Sequence, residues 1–169
     1  TAVICGAAGN FVAPAEKITP NGFKAVMDID LLGSFNCARA GFDQLRRTKG
    51  SLLFITGGQA HAAYVLQAHV AAAKAGVDQL MRSLAVEWGR HGIRVNSLMP
   101  GPVNGTEGMR RLAAGDGYAN WVDSVPLGRF AEQEEIGTMA AVLLSSLASY
   151  VTGSVVAVDG GLDAMGPAI

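Results

Sequence analysis

Ala2-Val3-Ile4-Cys5-Gly6-Ala7-Ala8-Gly9 runs from four apolar residues straight into four small ones, and this junction decides the fold. A short apolar run without polar alternation reads as a buried strand of a parallel sheet. Small residues at its carboxyl end let a flat ring or a ribose approach the backbone, at the place where open α/β sheets bind ligands. They equally permit a tight packing corner between strand and helix. Further strands are predicted at Leu52 to Thr56, Arg94 to Leu98 and Val155 to Val158.

Helical periodicity occupies the intervals, from about Asn21 to Arg47, about Val70 to Gly89 and about Glu132 to Ser146. Thr19 as N-cap and Pro20 at the first helical position suit the start of the first. The second carries Val70, Ala73, Val77, Leu80, Met81, Leu84 and Trp88 on one stripe, and Gly89 and Gly92 end it. The order βαβαβ, a long segment, then αβ predicts an α/β chain: a Rossmann-like parallel sheet with flanking helices, as one partial domain over 1–169. From Pro100 to Leu127 the chain is Gly-rich with little apolar periodicity, and about 102–127 is expected to be a substrate loop.

With 169 residues, 50% of them hydrophobic and 16% charged, the chain can bury one core. Thirteen basic and fourteen acidic residues leave a charge of -1, with no basic footprint for nucleic acid or an anionic membrane, so a small molecule is the expected partner. No apolar stretch is long enough to span a bilayer and no signal peptide opens the chain. Pro167-Ala168-Ile169 is not a peroxisomal address. Cys5 and Cys37 lack further ligands at metal-binding spacing; no metal is expected, both read as reduced core residues, and a cytoplasmic location follows. Thr1 precedes a strand at once, so a segment upstream is expected to be missing.

Three polar features stand out. Lys74 lies among small residues, Ala71-Ala72-Ala73-Lys74-Ala75-Gly76, on a core-facing helix, where its ammonium needs water, a partner, or Asp78 at i+4. Asp30 has Val26, Met27, Gly33 and Ser34 as helical neighbours, whereas Asp28 falls next to Lys24, so Asp30 is read as the more buried. A buried carboxylate is costly unless paired, and the alternative is an ordinary surface aspartate. Asn96-Ser97-Leu98-Met99-Pro100-Gly101-Pro102 ends a strand in a turn that either aims backbone groups into a cleft or is a plain loop, and Thr106 beyond it could hydrogen-bond a carboxamide or phosphate.

In order and spacing these elements resemble the short-chain dehydrogenase/reductase family. Gly6 to Gly9 is similar to its Asn-Asn-Ala-Gly segment, and Lys74 sits in its catalytic helix. Arg94-Val95-Asn96-Ser97 with Pro100-Gly101, and Tyr150-Val151-Thr152-Gly153 with Val158-Asp159-Gly160-Gly161, match its later motifs. The resemblance implies a nicotinamide cofactor held by Gly6, Ala7, Ala8, Gly9, Lys74, Pro100, Gly101 and Pro102. It also implies a homo-oligomer that pairs the helices at Asn21 to Arg47 and Val70 to Gly89.

The common catalytic set of that family is Asn, Ser, and Tyr four residues before Lys. Here those positions hold Asp30, Gly57 and Val70. The 2,4-dienoyl-CoA reductases tolerate that loss, and this chain resembles them at Ala8 to Phe11, Asp28 to Asp30, Gln67 to His69 and Gly101 to Gly108. The likeness implies an acyl-CoA substrate, NADP(H), and catalytic roles for Asp30, as a proton relay through water, and for Lys74. Asn10 and Thr56 would bind substrate. His69 is a weaker candidate, and Tyr64, ten residues before Lys74, is an alternative phenol for a carbonyl reductase. A non-catalytic relative is the remaining alternative.

The Gly-rich turn that seats a pyrophosphate on a helix N-terminus is not in this sequence. The isolated chain is therefore expected to bind NADPH poorly. Fluorescence titration of NADPH against this chain and against the full-length protein checks it; equal, tight binding by both would refute the expectation.

Overall fold

The structure, a computed structural model, describes residues 1–112 and 121–165. Strands β1 (Ala2–Cys5), β2 (Ser51–Ile55), β3 (Arg94–Pro100) and β4 (Val155–Val158) form a parallel sheet in the order β1-β2-β3-β4. Helices α1 (Pro20–Met27), α2 (Gly33–Thr48), α3 (Ala68–Gly89), α4 (Glu107–Leu112) and α5 (Gln133–Leu144) accompany it. The predicted alternation of strands and helices is present. β3 runs two residues beyond its expected end, because Met99 and Pro100 pair with Ala157 and Val158 of β4.

Successive side chains of a strand face opposite sides of the sheet, and the two sides carry separate cores. Leu52, Phe54 and Val95 pack with Leu45 of α2 and with Val77 and Met81 of α3. Leu53, Ile55 and Leu98 pack with Ile136 and Leu143 of α5. On the α3 stripe Val70, Ala73, Val77, Met81 and Leu84 are buried, with Leu80 and Trp88 partly so. The helix ends at Gly89, and Gly92 takes φ +77°, a left-handed conformation that suits glycine.

Four expectations change. The helix from about Asn21 to Arg47 is helical throughout, but a π-turn at Asp28–Leu32 separates α1 from α2. β1 is not buried on both faces: α5 packs over β2 and β3, and Ile4 is left 52% exposed. Cys5 is buried, and burial together with the Cys37 thiol pushes its pKa up to about 12, but Cys37 is exposed on α2 rather than in the core. The segment expected as a loop over about 102–127 contains α4, whose start is capped by the Thr106 hydroxyl accepting from Met109 N–H at 3.3 Å. Its stretch at 113–120 lies outside the described residues. Among the described residues no helix is long and apolar enough to cross a membrane.

The two later sequence motifs explain one another. Asn96, fully buried, donates to Val151 O at 2.9 Å and accepts from Ser154 N–H at 3.1 Å. Arg94 donates to Val151 O and to Ser145 O, and burial lowers its pKa. The Thr152 hydroxyl accepts from Val95 N–H at 3.0 Å. Arg94 and Asn96 of β3 thus satisfy backbone of the segment that leads into β4, and Thr152 of that segment satisfies backbone of β3. Asn96→Ala takes the partner from the part-buried Ser154 N–H and is expected to lower the unfolding free energy by about 1–3 kcal/mol, measured by urea denaturation.

Candidate active site

The carboxyl ends of the strands open on a cavity of about 840 Å³, within the usual size of a ligand site. Gly6, Ala8 and Gly9 line it after β1, Thr56, Gly57 and Gly58 after β2, and Pro100, Gly101 and Pro102 after β3. Ala7 is exposed and is not on the wall. Gly101 is needed where it stands: a Cβ there would lie 2.7 Å from Asp159 Cα, so only glycine lets the loops after β3 and β4 meet.

Asp30 and Lys74 are brought together at the back of this cavity. The π-turn presents Asp30 to the cleft, 1% exposed, while Asp28 stays outside and pairs with Lys24. π-turns are rare and concentrate at functional sites. Asp30 Oδ1 accepts from Gly9 N–H at 2.6 Å, and Oδ2 lies 3.3 Å from Lys74 Nζ. Lys74 also donates to Ile55 O at 3.4 Å. One ion pair therefore joins the turn after β1, the end of β2, the π-turn and α3. Lys74 does not pair with Asp78, which is itself buried.

Two buried oxygens on the cavity wall make no hydrogen bond among the described residues: Asp30 Oδ2, which has the Lys74 ammonium 3.3 Å away, and Thr56 Oγ1. A carboxylate oxygen can accept from a water or a ligand, and a hydroxyl can donate as well as accept. The position four residues before Lys74 presents only the hydrocarbon of Val70, and Gly57 presents no side chain. Tyr64 lines the same cavity, with its hydroxyl against Gly58, where a Cβ would stand 2.8 Å from it. Burial, then Asp159 and Asp163, raise its pKa, whereas an activating ammonium would lower it.

Asn10 is exposed and donates to Gln67 Oε1 at 3.2 Å, which also accepts from Gln59 at 3.2 Å. With Ala13 N–H bonded to Leu66 O at 3.0 Å, these amides link the loop after β1 to the loop after β2. Gln59 was not singled out in the sequence, because one amide in a loop has no distinguishing spacing. His69 is fully buried, its ring 4.1 Å from that of Phe11, and lies off the cavity wall. No cluster of three or more metal-ligating side chains occurs among the described residues.

Removing one partner of a buried pair leaves the other charge uncompensated. Lys74→Met is expected to cost about 3–5 kcal/mol of stability, and adding Asp30→Asn should restore part of it. Chemical denaturation of the two single variants and the double variant measures that coupling.

The family model described as Enoyl-(Acyl carrier protein) reductase matches residues 2–163. A peroxisomal 2,4-dienoyl-CoA reductase of Saccharomyces cerevisiae, named as (3E)-enoyl-CoA-producing, is 46% identical over 160 residues, covering 95% of this chain and 55% of the relative. A probable 2,4-dienoyl-CoA reductase of Bacillus subtilis, named as (2E)-enoyl-CoA-producing, is 47% identical over 166 residues, covering 95% and 65%. The chain thus spans between about half and two thirds of these relatives' length. Among solved structures, a short chain dehydrogenase from Bacillus anthracis superposes with a TM-score of 0.85 at 37% identity, covering 99% of this chain and 66% of that one. A gluconate 5-dehydrogenase from Burkholderia cenocepacia, in complex with NADP and tartrate, gives 0.92 at 29%, covering 98% and 65%. With the parallel sheet, the cleft at its strand ends and a family match along nearly its whole length, the chain belongs to the short-chain dehydrogenase/reductase family.

Proposed function

We propose that the protein reduces a 2,4-dienoyl-CoA to an enoyl-CoA with NADPH, as part of the degradation of unsaturated fatty acids. One observation carries this: a buried Asp30 beside Lys74 faces the cavity where the family's phenol would stand, and Val70 takes the phenol's place. Reducing a ketone needs an acid for the nascent alkoxide. A conjugated thioester delocalises its charge, so electrostatic stabilisation and a proton held by water suffice. Two relatives named as dienoyl-CoA reductases support the same substrate class.

The residues present fit a nicotinamide and its ribose. The small residues Gly6, Ala8 and Gly9 leave room for a flat ring, Lys74 offers donors to ribose hydroxyls, and Pro100 to Pro102 present backbone at the strand end. When bound, the cofactor supplies hydride to the far end of the diene. Lys74 adds positive potential where negative charge develops on the acyl group. Asp30 Oδ2 holds a water and directs its proton to the carbon next to the thioester, giving a 3-enoyl product. Asn10 and Thr56 Oγ1 hydrogen-bond near the thioester oxygen.

A homo-oligomer through α2 and α3 belongs to the same proposal. Leu32 and Phe35, 48% and 40% exposed, give that helical surface an apolar character. Two free cysteines, one of them exposed on α2, suit a reducing compartment such as the cytoplasm.

Incubation of the full-length protein with NADPH and 2,4-hexadienoyl-CoA, with the product's double bond located by NMR, tests the proposal. NADPH consumption with a 3-enoyl product is expected, and no consumption would reject it. Asp30→Asn is expected to lower kcat by about 10²–10⁴, while Tyr64→Phe leaves turnover in place. Loss of turnover in Tyr64→Phe alone would reassign the proton donor to the phenol.

A further inference from the structure

His61 stands between two carboxylates from distant parts of the chain. Its Nδ1 is 3.1 Å from Asp163 Oδ1, in the turn Leu162–Ala164 that follows β4, and its Nε2 is 3.5 Å from Asp78 Oδ2 on α3. Asp78 is deeply buried, its side chain 2% exposed, and neither of its oxygens has a hydrogen-bond donor among the described residues. Such a carboxylate requires a compensating charge or a proton. Lys74, one turn earlier on α3, is engaged by Asp30, so among the described residues the ionisable partner facing Asp78 is His61. A neutral imidazole has one N–H and one acceptor nitrogen. Nδ1 is placed to donate to Asp163, and the contact at Nε2 needs a proton on either Asp78 or the imidazole.

Acidic groups face His61 from two elements. Asp78 faces it from α3, Asp163 from the turn after β4, and Tyr64 shares its loop near Asp159 and Asp163. Asp159 shapes the turn, accepting from Gly161 N–H at 2.9 Å and Asp163 N–H at 2.6 Å. Leu162 and Asp163 lie on the cavity wall, and so do Gln59, Ala62 and Tyr64, which flank His61 in sequence. The bridge therefore spans the seam between two loops that wall the cleft.

We propose that His61 is a positioning residue whose ring, set between Asp78 and Asp163, fastens the turn after β4 to the loop after β2 and fixes that wall of the cleft. Asp30 and Lys74 are not part of the bridge, so the effect falls on KM more than on kcat.

Amide hydrogen exchange over residues 159–165 of the full-length protein reads the bridge directly. His61→Gln should lose protection there relative to the wild type. Asp163→Asn, at the partly exposed end of the bridge, should behave likewise and serves if His61→Gln does not fold. Wild-type protection in either variant would overturn the proposal. A second readout rests on the dienoyl-CoA function proposed above: the KM for 2,4-hexadienoyl-CoA should be several-fold higher in His61→Gln than in the wild type, with kcat little changed. Absence of turnover in the wild type would reject that function while the exchange experiment still decides the role of His61.

Discussion

A single buried ion pair, Asp30 with Lys74, ties the chain together at the place where it meets a ligand. Two charges removed from water are tolerable only with close mutual contact and further hydrogen bonds. Gly9 N–H supplies one to the carboxylate, and Ile55 O accepts one from the ammonium. Through these contacts the turn after β1, the end of β2, the π-turn and α3 must hold one arrangement, and the cavity in front of them takes its shape from it. The small residues at 6–9 follow from the same constraint, since the backbone of Gly9 has to come within 2.6 Å of a buried side chain.

Around that pair the site departs from the common set of its family in a consistent direction. Where a phenol and a hydroxyl would stand, Val70 and Gly57 present hydrocarbon and backbone. At the back of the wall stand a carboxylate oxygen, a threonine hydroxyl and a lysine ammonium, the set that the proposed reaction uses to hold a water and stabilise a delocalised anion. Tyr64 lines the same wall, and burial and two neighbouring carboxylates raise its pKa.

The rest of the cleft is assembled from loops that grip one another with side chains. Asn10, Gln67 and Gln59 share one amide acceptor across the loops after β1 and β2. His61 joins the second of these to the turn after β4. Arg94 and Asn96 hold the turn before β4 from within the sheet. The first two grips join side chain to side chain; in the third, side chains supply partners to backbone that no ladder pairs.

The sequence by itself determined the four strands of a parallel sheet and the face of α3 that is buried, because short apolar runs and the 3.6-residue periodicity report burial directly. It also distinguished Asp30 from Asp28, through the apolar neighbours of the one and Lys24 beside the other. Tertiary structure alone decided that Lys74 turns to Asp30 and not to Asp78, that a π-turn lies beneath Asp30, that Cys37 faces outward, and that His61 meets Asp78 and Asp163. These contacts join residues 17 to 102 positions apart, or rest on one extra residue in a helical turn. Local pattern carries no record of either, since pairing across the fold is set by how the elements pack and by the cost of leaving a buried charge alone.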